Sequence, residues 1–342
     1  MSGKTQAEAL AKVAELKQQL VSGTLSDTKL TLGKYLTHWL EHKKLEVKPR
    51  THEYYKKYAE LYIRPHIGGT KLGKLTTQDV RRTLMTVKDQ VSADAANKTR
   101  TVLSGALKQA VRDGLVPRNP VEATTPFKVD ASLKDHTWEA PETLRFLETA
   151  RTHRLFAAFY LTMTTGMRHA EVLGLRWGDI EGDTLHLRQS LINLNGGYAI
   201  STPKTPKGIR RVVVDAETLA VMETHRLLQA EEQRKAGESW GPKSAEYSDL
   251  IFTTENGRPI HPRNFDRVWY GLMERAQVRR IRFHDLRHMH VSLLNKAGMD
   301  ARTIADRIGH TDPAFTIRRY AHVFEEQRRA AAIPLLELLT PR

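Results

Sequence analysis

The spacing of apolar residues changes about a third of the way along this chain of 342 residues. Across residues 29–128, apolar side chains recur every three or four positions, which predicts a small helical domain. From residue 141 onward, helical segments alternate with short β-branched runs, which predict the strands of a small antiparallel sheet. The pattern therefore indicates a mainly α-helical protein of two domains, the second of the α+β class.

Polar residues and prolines occupy the stretch 124–140, where the two patterns meet. Such a composition is typical of a linker. We place a helical domain, a linker and a mixed domain at residues 29–128, 129–140 and 141–342. Before them, apolar residues between positions 7 and 22 predict one further helix, which ends at Ser22-Gly23.

Residues typical of helix starts indicate where successive helices of the first domain begin. Pro49 with Thr51 begins its second helix, Thr76 with Asp79 its third and Ser92 its fourth. In the mixed domain we predict strands at 184–188 and 209–214, and helices at 262–276 and 284–296.

Positive charge is concentrated in the first domain, although the whole chain carries a formal charge of +15. Residues 29–128 hold 20 Lys and Arg against 9 Asp and Glu, a net +11, whereas residues 129–342 hold 31 against 27. A surface with this excess favours a polyanion through counterion release. Charge alone fits a solvated basic surface equally well.

The composition excludes several classes of protein. The chain has no cysteine, so it has neither a disulfide framework nor a thiolate metal site. No apolar run approaches the ~20 residues of a membrane span. The first residues lack the apolar core of a signal peptide. We therefore expect an intracellular protein.

Five side chains suited to phosphodiester chemistry are the main functional signal. One lies in the sequence Thr165-Gly166-Met167-Arg168, and the others fall within the last third of the chain: His284, Arg287, His310 and Tyr320. Guanidiniums hold a phosphate, imidazoles handle protons and hydrogen bonds, and a phenol can attack phosphorus. This set is sufficient to cleave a strand without a metal.

The two arginines are candidates for holding the phosphate. Arginine stays charged, and its planar fork binds two oxygens at once. Arg168 follows a glycine break, and Glu171, one turn further on, is placed to pair with it and orient it. In a chain this basic, any one arginine taken alone more often serves the surface or an ion pair.

Tyr320 is the candidate nucleophile. A phenol with an ordinary pKa near 10 is only about one part in a thousand ionised at pH 7, so it needs help to lose its proton. His284 is our candidate for that proton step, because imidazole titrates near neutrality. His310 is expected to hydrogen-bond the phosphate. Any tyrosine on a helix is otherwise most often a half-buried packing residue.

The departing 5′-oxygen also needs a proton, and a lysine at a hairpin tip can supply it. Lys204 and Lys207 both lie in the basic turn before the second predicted strand. The sequence leaves the choice between them open, and a basic turn that contacts the DNA backbone remains the simpler interpretation.

A zinc site is the alternative for the histidines. His284 and His288 stand four residues apart, a spacing that can bind zinc on a helix. No third ligand motif accompanies them, and Arg287 would lie beside the metal. We therefore expect no metal and no other cofactor.

These motifs resemble the tyrosine recombinases, the phage-integrase family of site-specific recombinases. The Thr-Gly-Met-Arg-x-x-Glu-x-x-x-Leu-x-Trp box spans 165–177, and the His-Asp-Leu-Arg-His box spans 284–288. The Leu-Gly-His box occurs as Ile308-Gly309-His310, and the final box is met by Thr316, Tyr320 and His322. All four boxes in this order, within a resemblance covering nearly all of 30–325, are highly specific.

The resemblance implies both roles and mechanism. It gives catalytic roles to Arg168, Lys204, His284, Arg287, His310 and Tyr320, with Glu171 and His288 in support. Lys204 is preferred over Lys207 because the family's hairpin lysine commonly precedes a threonine. The implied reaction runs through a covalent 3′-phosphotyrosine and a four-way junction, without metal or ATP, in the cytoplasm at the nucleoid of a prokaryotic or phage-infected cell.

The resemblance also implies the architecture and the partners. Residues 29–128 are similar to the SAM-like core-binding domain of the family, which clamps duplex DNA together with the catalytic domain. Backbone contacts are expected near predicted helix starts, at Arg50, Thr51, Lys98 and Arg100. A homotetramer on DNA is implied, and an accessory DNA-bending or directionality factor would be in keeping with the family.

Two regions depart from the pattern of many phage integrases. Residues 4–22 resemble only the terminal helix of an arm-binding domain, without the strands that precede it there. After Tyr320 the chain has an apolar tail from Ile333 to Leu339. We expect this tail to dock on a neighbouring subunit, as tails in the family often do, and packing on its own core is the alternative.

Other functions fit parts of the same pattern. A non-catalytic DNA-binding protein with the recombinase fold is the main alternative, and the complete boxes disfavour it. A type IB topoisomerase shares the arginine, lysine, histidine and tyrosine chemistry, but the similarity to a core-binding domain disfavours it. A magnesium-dependent transposase is disfavoured because no acidic triad is needed to explain the site.

Overall fold

The structure is a computed structural model that describes residues 29–129, 137–194, 197–203, 208–242 and 244–310. The described chain forms two compact units, divided between residues 131 and 132. We refer to residues 29–129 as the helical unit and to residues 137–310 as the mixed unit. Among the described residues, no helix has the length and apolar character that crossing a membrane requires.

The described part of the helical unit consists of helices and connecting turns, with one isolated antiparallel bridge between Thr31 and Lys71. Its α-helices are α1 (Leu32–Glu46), α2 (Pro49–Tyr58), α3 (Arg64–Ile67), α4 (Thr77–Gln90) and α5 (Ala93–Arg112). A π-helical turn joins α2 to α3 (Ala59–Ile63), and a 3₁₀ turn precedes α4 (Leu72–Lys74).

Side-chain caps lie at the starts of α4 and α5, where the sequence predicts them. Thr76 accepts a hydrogen bond from the Asp79 backbone N–H, and the Asp79 carboxylate accepts one from the Thr76 N–H, each at 3.1 Å. Ser92 caps α5 by accepting from the Ala95 N–H at 3.1 Å. These caps satisfy N–H groups that have no partner within the helix, so the predicted starts of α4 and α5 are confirmed.

The core of the helical unit is formed by buried side chains of α1, the π-helical turn, α4 and α5. Leu36 and Leu103 are fully buried there, and the Tyr35 hydroxyl donates to the Ala106 carbonyl at 2.9 Å. Because the hydroxyl has a partner, the ring can be buried without leaving a polar atom unsatisfied.

The mixed unit combines helices with two small antiparallel sheets. Its helices are α6 (Ala140–Ala150), α7 (Phe156–Thr165), α8 (His169–Leu173), α9 (Ala216–Ala236), α10 (Pro262–Arg275), α11 (Asp285–Lys296) and α12 (Ala301–Ile308). Its strands are β1 (Ile180–Glu181), β2 (Thr184–Leu187), β3 (Ser190–Leu194), β4 (Gly197–Ser201) and β5 (Arg210–Val213). Short 3₁₀ turns lie at Trp177–Asp179, Gly237–Ser239 and Ala245–Tyr247.

The strands pair in the order β1-β2-β5, with β3 and β4 forming a separate hairpin. Leu185 of β2 lies opposite Val212 of β5, and both side chains are buried. The mainly α-helical fold with a small antiparallel sheet is therefore confirmed, with β2 and β5 where the sequence predicts strands. The apolar pattern does not predict β3 and β4, because their residues are mostly half-buried and show no clear alternation.

The core of the mixed unit is aromatic and centres on Trp269. The Trp269 ring lies 5.2 Å from Trp138, 4.7 Å from Phe146 and 5.5 Å from Phe159, measured between ring centroids. The Trp138 Nε1–H donates to the Arg279 carbonyl at 2.7 Å. Trp138 lies within the stretch predicted as a linker, so the packed part of the mixed unit begins before residue 141.

Candidate active site

Arg168 lies at the N-terminus of α8, directly after a sharp turn. Gly166 ends α7 with φ of 65°, a left-handed conformation that favours glycine, and an added Cβ would lie 2.8 Å from the His290 ring. The Arg168 backbone N–H donates to Glu171 Oε2 at 2.9 Å, and its Nη1 donates to Oε1 at 2.7 Å. Glu171 therefore fixes both the backbone and the guanidinium of Arg168.

Glu171 is shared between two arginines. It is 5% exposed, and Arg210 on β5 donates to its two oxygens from Nη1 and Nη2 at 3.0 and 2.9 Å. Burial raises the pKa of the Glu171 carboxyl, but the hydrogen bonds and charge of Arg210, with the charge of Arg168, outweigh burial and lower it to about 2. Glu171 is thus a carboxylate throughout the neutral range.

Arg210 is a site residue that no sequence motif above identifies. The available signal was its position in a β-branched run, where alternation puts residue 210 on the same face as Val212. Both side chains are buried, whereas Arg211 between them is exposed. A charged residue at an inward strand position needs a buried partner, and that requirement points to a carboxylate.

Arg287 on α11 is 1% exposed. Its Nη1 donates to the Gly166 carbonyl at 2.8 Å, and its Nη2 donates to the Ile308 carbonyl at 2.5 Å. Arg168 reaches the same region, because its Nη2 donates to the Gly309 carbonyl at 3.2 Å. The two arginines therefore converge on the turns that end α7 and α12.

His310 follows directly on one of these turns. Gly309 has φ of 69°, and the His310 backbone N–H donates to the Ala305 carbonyl at 2.9 Å. Burial, then the positive charges of Arg287 and Arg168, lower the pKa of the His310 imidazole to about 3. His310 is thus neutral at physiological pH and retains one ring N–H to donate.

His284 is the N-cap residue of α11 and lies at the surface. Its ring centroid is 5.2 Å from that of His288, which is buried. Partial desolvation, followed by the charge of Arg287, lowers the pKa of His284 below its ordinary value. A neutral imidazole at this position can accept a proton, as a general base must.

The structure brings together Arg168, Glu171, His284, Arg287, His288 and His310 and leaves other candidates undescribed. Lys204, Lys207 and Tyr320 lie outside the described residues, as do Thr316, His322 and the apolar tail. No three His, Asp or Glu side chains within the described ranges are grouped so as to hold a metal ion, so the zinc alternative gains no third ligand from them.

Arg307, which is half-buried, also contacts the end of α7 and the neighbouring strand β5. Arg307 donates to the carbonyls of Thr164 and Val213 at 3.1 and 3.0 Å, and from Nε to His290 Nε2 at 3.3 Å. His290 Nδ1 lies 2.9 Å from the Met163 carbonyl. Burial and the charge of Arg307 lower the pKa of His290 to about 4, which leaves its Nε2 free to accept.

The proposed DNA contacts of the helical unit occupy different settings. Arg50 and Thr51 lie in the first turn of α2, and that turn contains no acidic residue. The Lys98 ammonium is 2.5 Å from Asp94 at the surface. Arg100 donates to the Thr124 hydroxyl and carbonyl at 2.9 and 2.8 Å, so it holds the end of the unit together.

Comparisons with known proteins agree with this geometry. Residues 138–327 match the model of the phage integrase family, and residues 31–87 match that of the phage integrase N-terminal SAM-like domain. A protein named tyrosine recombinase XerC-like, from Caldanaerobacter subterraneus subsp. tengcongensis, is 29% identical over 98% of this chain and 90% of its own length.

Solved structures share the fold. The Tn1549 transposon integrase in complex with a circular intermediate DNA superposes with a TM-score of 0.77 at 19% identity, covering 91% of this chain and 100% of the other. A lambda integrase tetramer bound to a Holliday junction gives a TM-score of 0.63 at 18% identity, with coverages of 91% and 89%.

Proposed function

We propose that this chain, which belongs to the phage integrase family, is a site-specific DNA recombinase acting through a covalent 3′-phosphotyrosine. The family consists of tyrosine recombinases, so the chain is an enzyme that cleaves and rejoins DNA. The observation that carries the specific mechanism is the convergence of Arg168, Arg287 and His310 around two glycine turns, with His284 at the start of the adjoining helix.

The arginines and His310 would bind the scissile phosphate. Attack on the phosphodiester builds negative charge on the nonbridging oxygens, and fixed guanidiniums stabilise that charge without reorganising. Glu171 holds Arg168 at two points, and neutral His310 supplies an N–H donor. Such a preorganised site does chemically what a metal ion does elsewhere, so the proposed reaction uses no metal and no nucleotide.

The proposed step forms one bond and breaks one bond. The Tyr320 oxygen attacks phosphorus, its proton passes to His284, and the bond to the 5′-oxygen breaks. Lys204 protonates the departing oxygen, with Lys207 as the alternative. The phosphotyrosine conserves the energy of the phosphodiester, so a 5′-hydroxyl of a second strand can reverse the step and rejoin DNA without ATP.

The partners follow from the same proposal. The helical unit, with its net charge of +11 over residues 29–128, would track the DNA backbone, with α2 contributing Arg50 and Thr51 at its N-terminus. Assembly as a homotetramer on a four-way junction is supported by the shared fold of the lambda integrase tetramer. We further propose that the apolar tail docks on a neighbouring subunit and that an accessory DNA-bending or directionality factor takes part. The enzyme would act at the nucleoid in the cytoplasm.

A suicide substrate tests the function directly. A duplex carrying the core site, with a bridging phosphorothiolate at the scissile position, is incubated in EDTA with wild type and with Tyr320→Phe. We expect a covalent protein–DNA band on a denaturing gel with wild type only. A normal gel shift without any covalent band would favour a non-catalytic DNA-binding protein, and adducts that persist in the Tyr320→Phe variant would exclude Tyr320 as the nucleophile.

A further inference from the structure

Arg210 joins three parts of the candidate site through one buried side chain. It is 9% exposed and binds both oxygens of Glu171, at 3.0 and 2.9 Å. Its Nε donates to the carbonyl of Arg307, at 2.9 Å, near the end of α12. It begins β5, which lies a few residues after Lys204 and Lys207 in the sequence.

We propose that Arg210 is a positioning residue that acts through Glu171 to set the orientation of Arg168, an inference that rests on the proposed recombinase function. Glu171 links the two arginines directly, because its carboxylate accepts hydrogen bonds from both guanidiniums. The same oxygen, Oε1, accepts from Nη1 of both arginines. Fixing the carboxylate therefore fixes the guanidinium beyond it.

A second contact brings Arg210 to the His310 side of the site. An added Cβ on Gly309 would lie 2.9 Å from Arg210 Cδ, so the arginine stem packs directly against that turn. Gly309 also supplies the carbonyl that accepts from Arg168, at 3.2 Å. Arg210 thus contacts both groups that accept hydrogen bonds from the Arg168 guanidinium: the Glu171 carboxylate and the turn that carries the Gly309 carbonyl.

Lysine cannot reproduce this arrangement. A guanidinium presents a planar fork that matches a carboxylate at two points while its Nε donates elsewhere, whereas an ammonium is a single point charge. We therefore expect Arg210→Lys to keep the ion pair with Glu171 but to orient the carboxylate less well. Arg210→Met should lose both the ion pair and the orientation. Arg211, exposed on the same strand, provides a control that removes an equal charge without touching Glu171.

The first measurement is a double-mutant cycle on the rate of covalent adduct formation with the suicide substrate. We expect Arg210→Met to slow cleavage by roughly 100-fold, since small displacements of a catalytic group cost this much. In an Arg168→Met background, Arg210→Met should slow adduct formation little further. Arg211→Met should change the rate of adduct formation by the same factor in the wild-type and Arg168→Met backgrounds. Costs that multiply for Arg210 would overturn the proposal.

The second measurement needs no cleavage and separates this inference from the proposed function. In the Tyr320→Phe background, binding is compared between the normal duplex and duplexes in which each core phosphate in turn is a neutral methylphosphonate. We expect one position where the phosphate is preferred by roughly tenfold, because a charge-assisted hydrogen bond is lost there. Arg210→Met and Arg168→Met should abolish that preference, and Arg210→Lys should reduce it.

The outcomes are distinct. Loss of the preference in Arg210→Met, together with its retention in Arg211→Met, supports the positioning role even if wild type forms no adduct. An unchanged preference in both Arg210 variants overturns it, whatever the cleavage assay gives. If Arg210→Met melts below the assay temperature, Arg210→Lys decides, since it retains the buried charge.

Discussion

The described ion pairs of the helical unit lie at the surface, whereas the mixed unit also contains a pair that is buried. The Lys98–Asp94 pair of the helical unit has side chains that are 46% and 56% exposed. The Arg210–Glu171 pair of the mixed unit has side chains that are each 6% exposed. Charges withdrawn from water cost several kcal/mol each unless they are paired and hydrogen-bonded. The unit with the smaller net charge therefore carries the more consequential charges, and net charge locates binding surfaces better than active sites.

Removing one partner from each pair should give the largest contrast. Glu171→Ala leaves Arg210 buried without its carboxylate, so we expect a loss of roughly 3–5 kcal/mol in the free energy of unfolding. Urea unfolding followed by circular dichroism measures it. Asp94→Ala, the matched change in the exposed pair, should alter stability by no more than about 1 kcal/mol. Similar losses for both variants would remove the distinction between the two units.

Two glycines sharpen the comparison at a smaller scale. Gly309→Ala forces a side chain into a left-handed conformation and against Arg210, so we expect a cost of about 1–3 kcal/mol. An added Cβ at Gly73, in the helical unit, would meet nothing within 4 Å, and Gly73→Ala should change stability by less than about 1 kcal/mol. Thermal unfolding of the two variants provides the test, and a tolerated alanine at 309 would argue against close packing there.

The two units should also respond differently to acid. Burial lowers the pKa of His169 and of His290 to about 4 in the mixed unit. Their unfolded forms bind protons near pH 6.5, so stability falls as pH drops from about 6.5 toward 4. The stabilisation from Glu171 is complete above about 4.5 and is lost as pH falls toward 2.

Hydrogen exchange of the full chain, corrected for intrinsic exchange rates, can follow each unit separately. Between pH 7 and pH 5, peptides of the mixed unit should lose protection first, because His169 and His290, whose pKa values are lowered, lie in that unit. Equal losses in both units would contradict this account of the buried histidines.

The smallest expected effect concerns a single surface contact. Arg50→Gln should weaken DNA binding several-fold and reduce the salt dependence by about one phosphate contact. Titrations at several salt concentrations give that slope. Arg100→Gln provides the contrast, because Arg100 is bound to Thr124. It should destabilise the helical unit while leaving the salt slope unchanged.

The sequence predicts interactions that are local and misses those between distant segments. The pairing of Arg168 with Glu171 follows from a spacing of three residues, and the caps at Thr76 and Ser92 follow from their helix starts. The partner of Arg210 lies 39 residues away in sequence, and no local pattern identifies it. Likewise, Arg100 donates to Thr124, 24 residues further on, and no local pattern predicts that contact.

The strands of the mixed unit show the same limit of prediction from local sequence. Strands β2 and β5 bury one face each, and the resulting alternation predicts them. Strands β3 and β4 pair with one another and are half-buried on most positions, so hydrophobic pattern carries little information there. Where most residues of a segment are half-buried on both faces, only the tertiary fold decides whether the segment is extended.

The buried position of Arg287 has a consequence for the cell that makes this protein. Its acceptors, Gly166 and Ile308, stand 121 and 21 residues away in the chain. The guanidinium therefore reaches its working position only after segments from both sides have been synthesised and packed. We expect a nascent or partly unfolded chain to be unable to cut DNA, so that a potentially genotoxic activity appears only in the finished molecule.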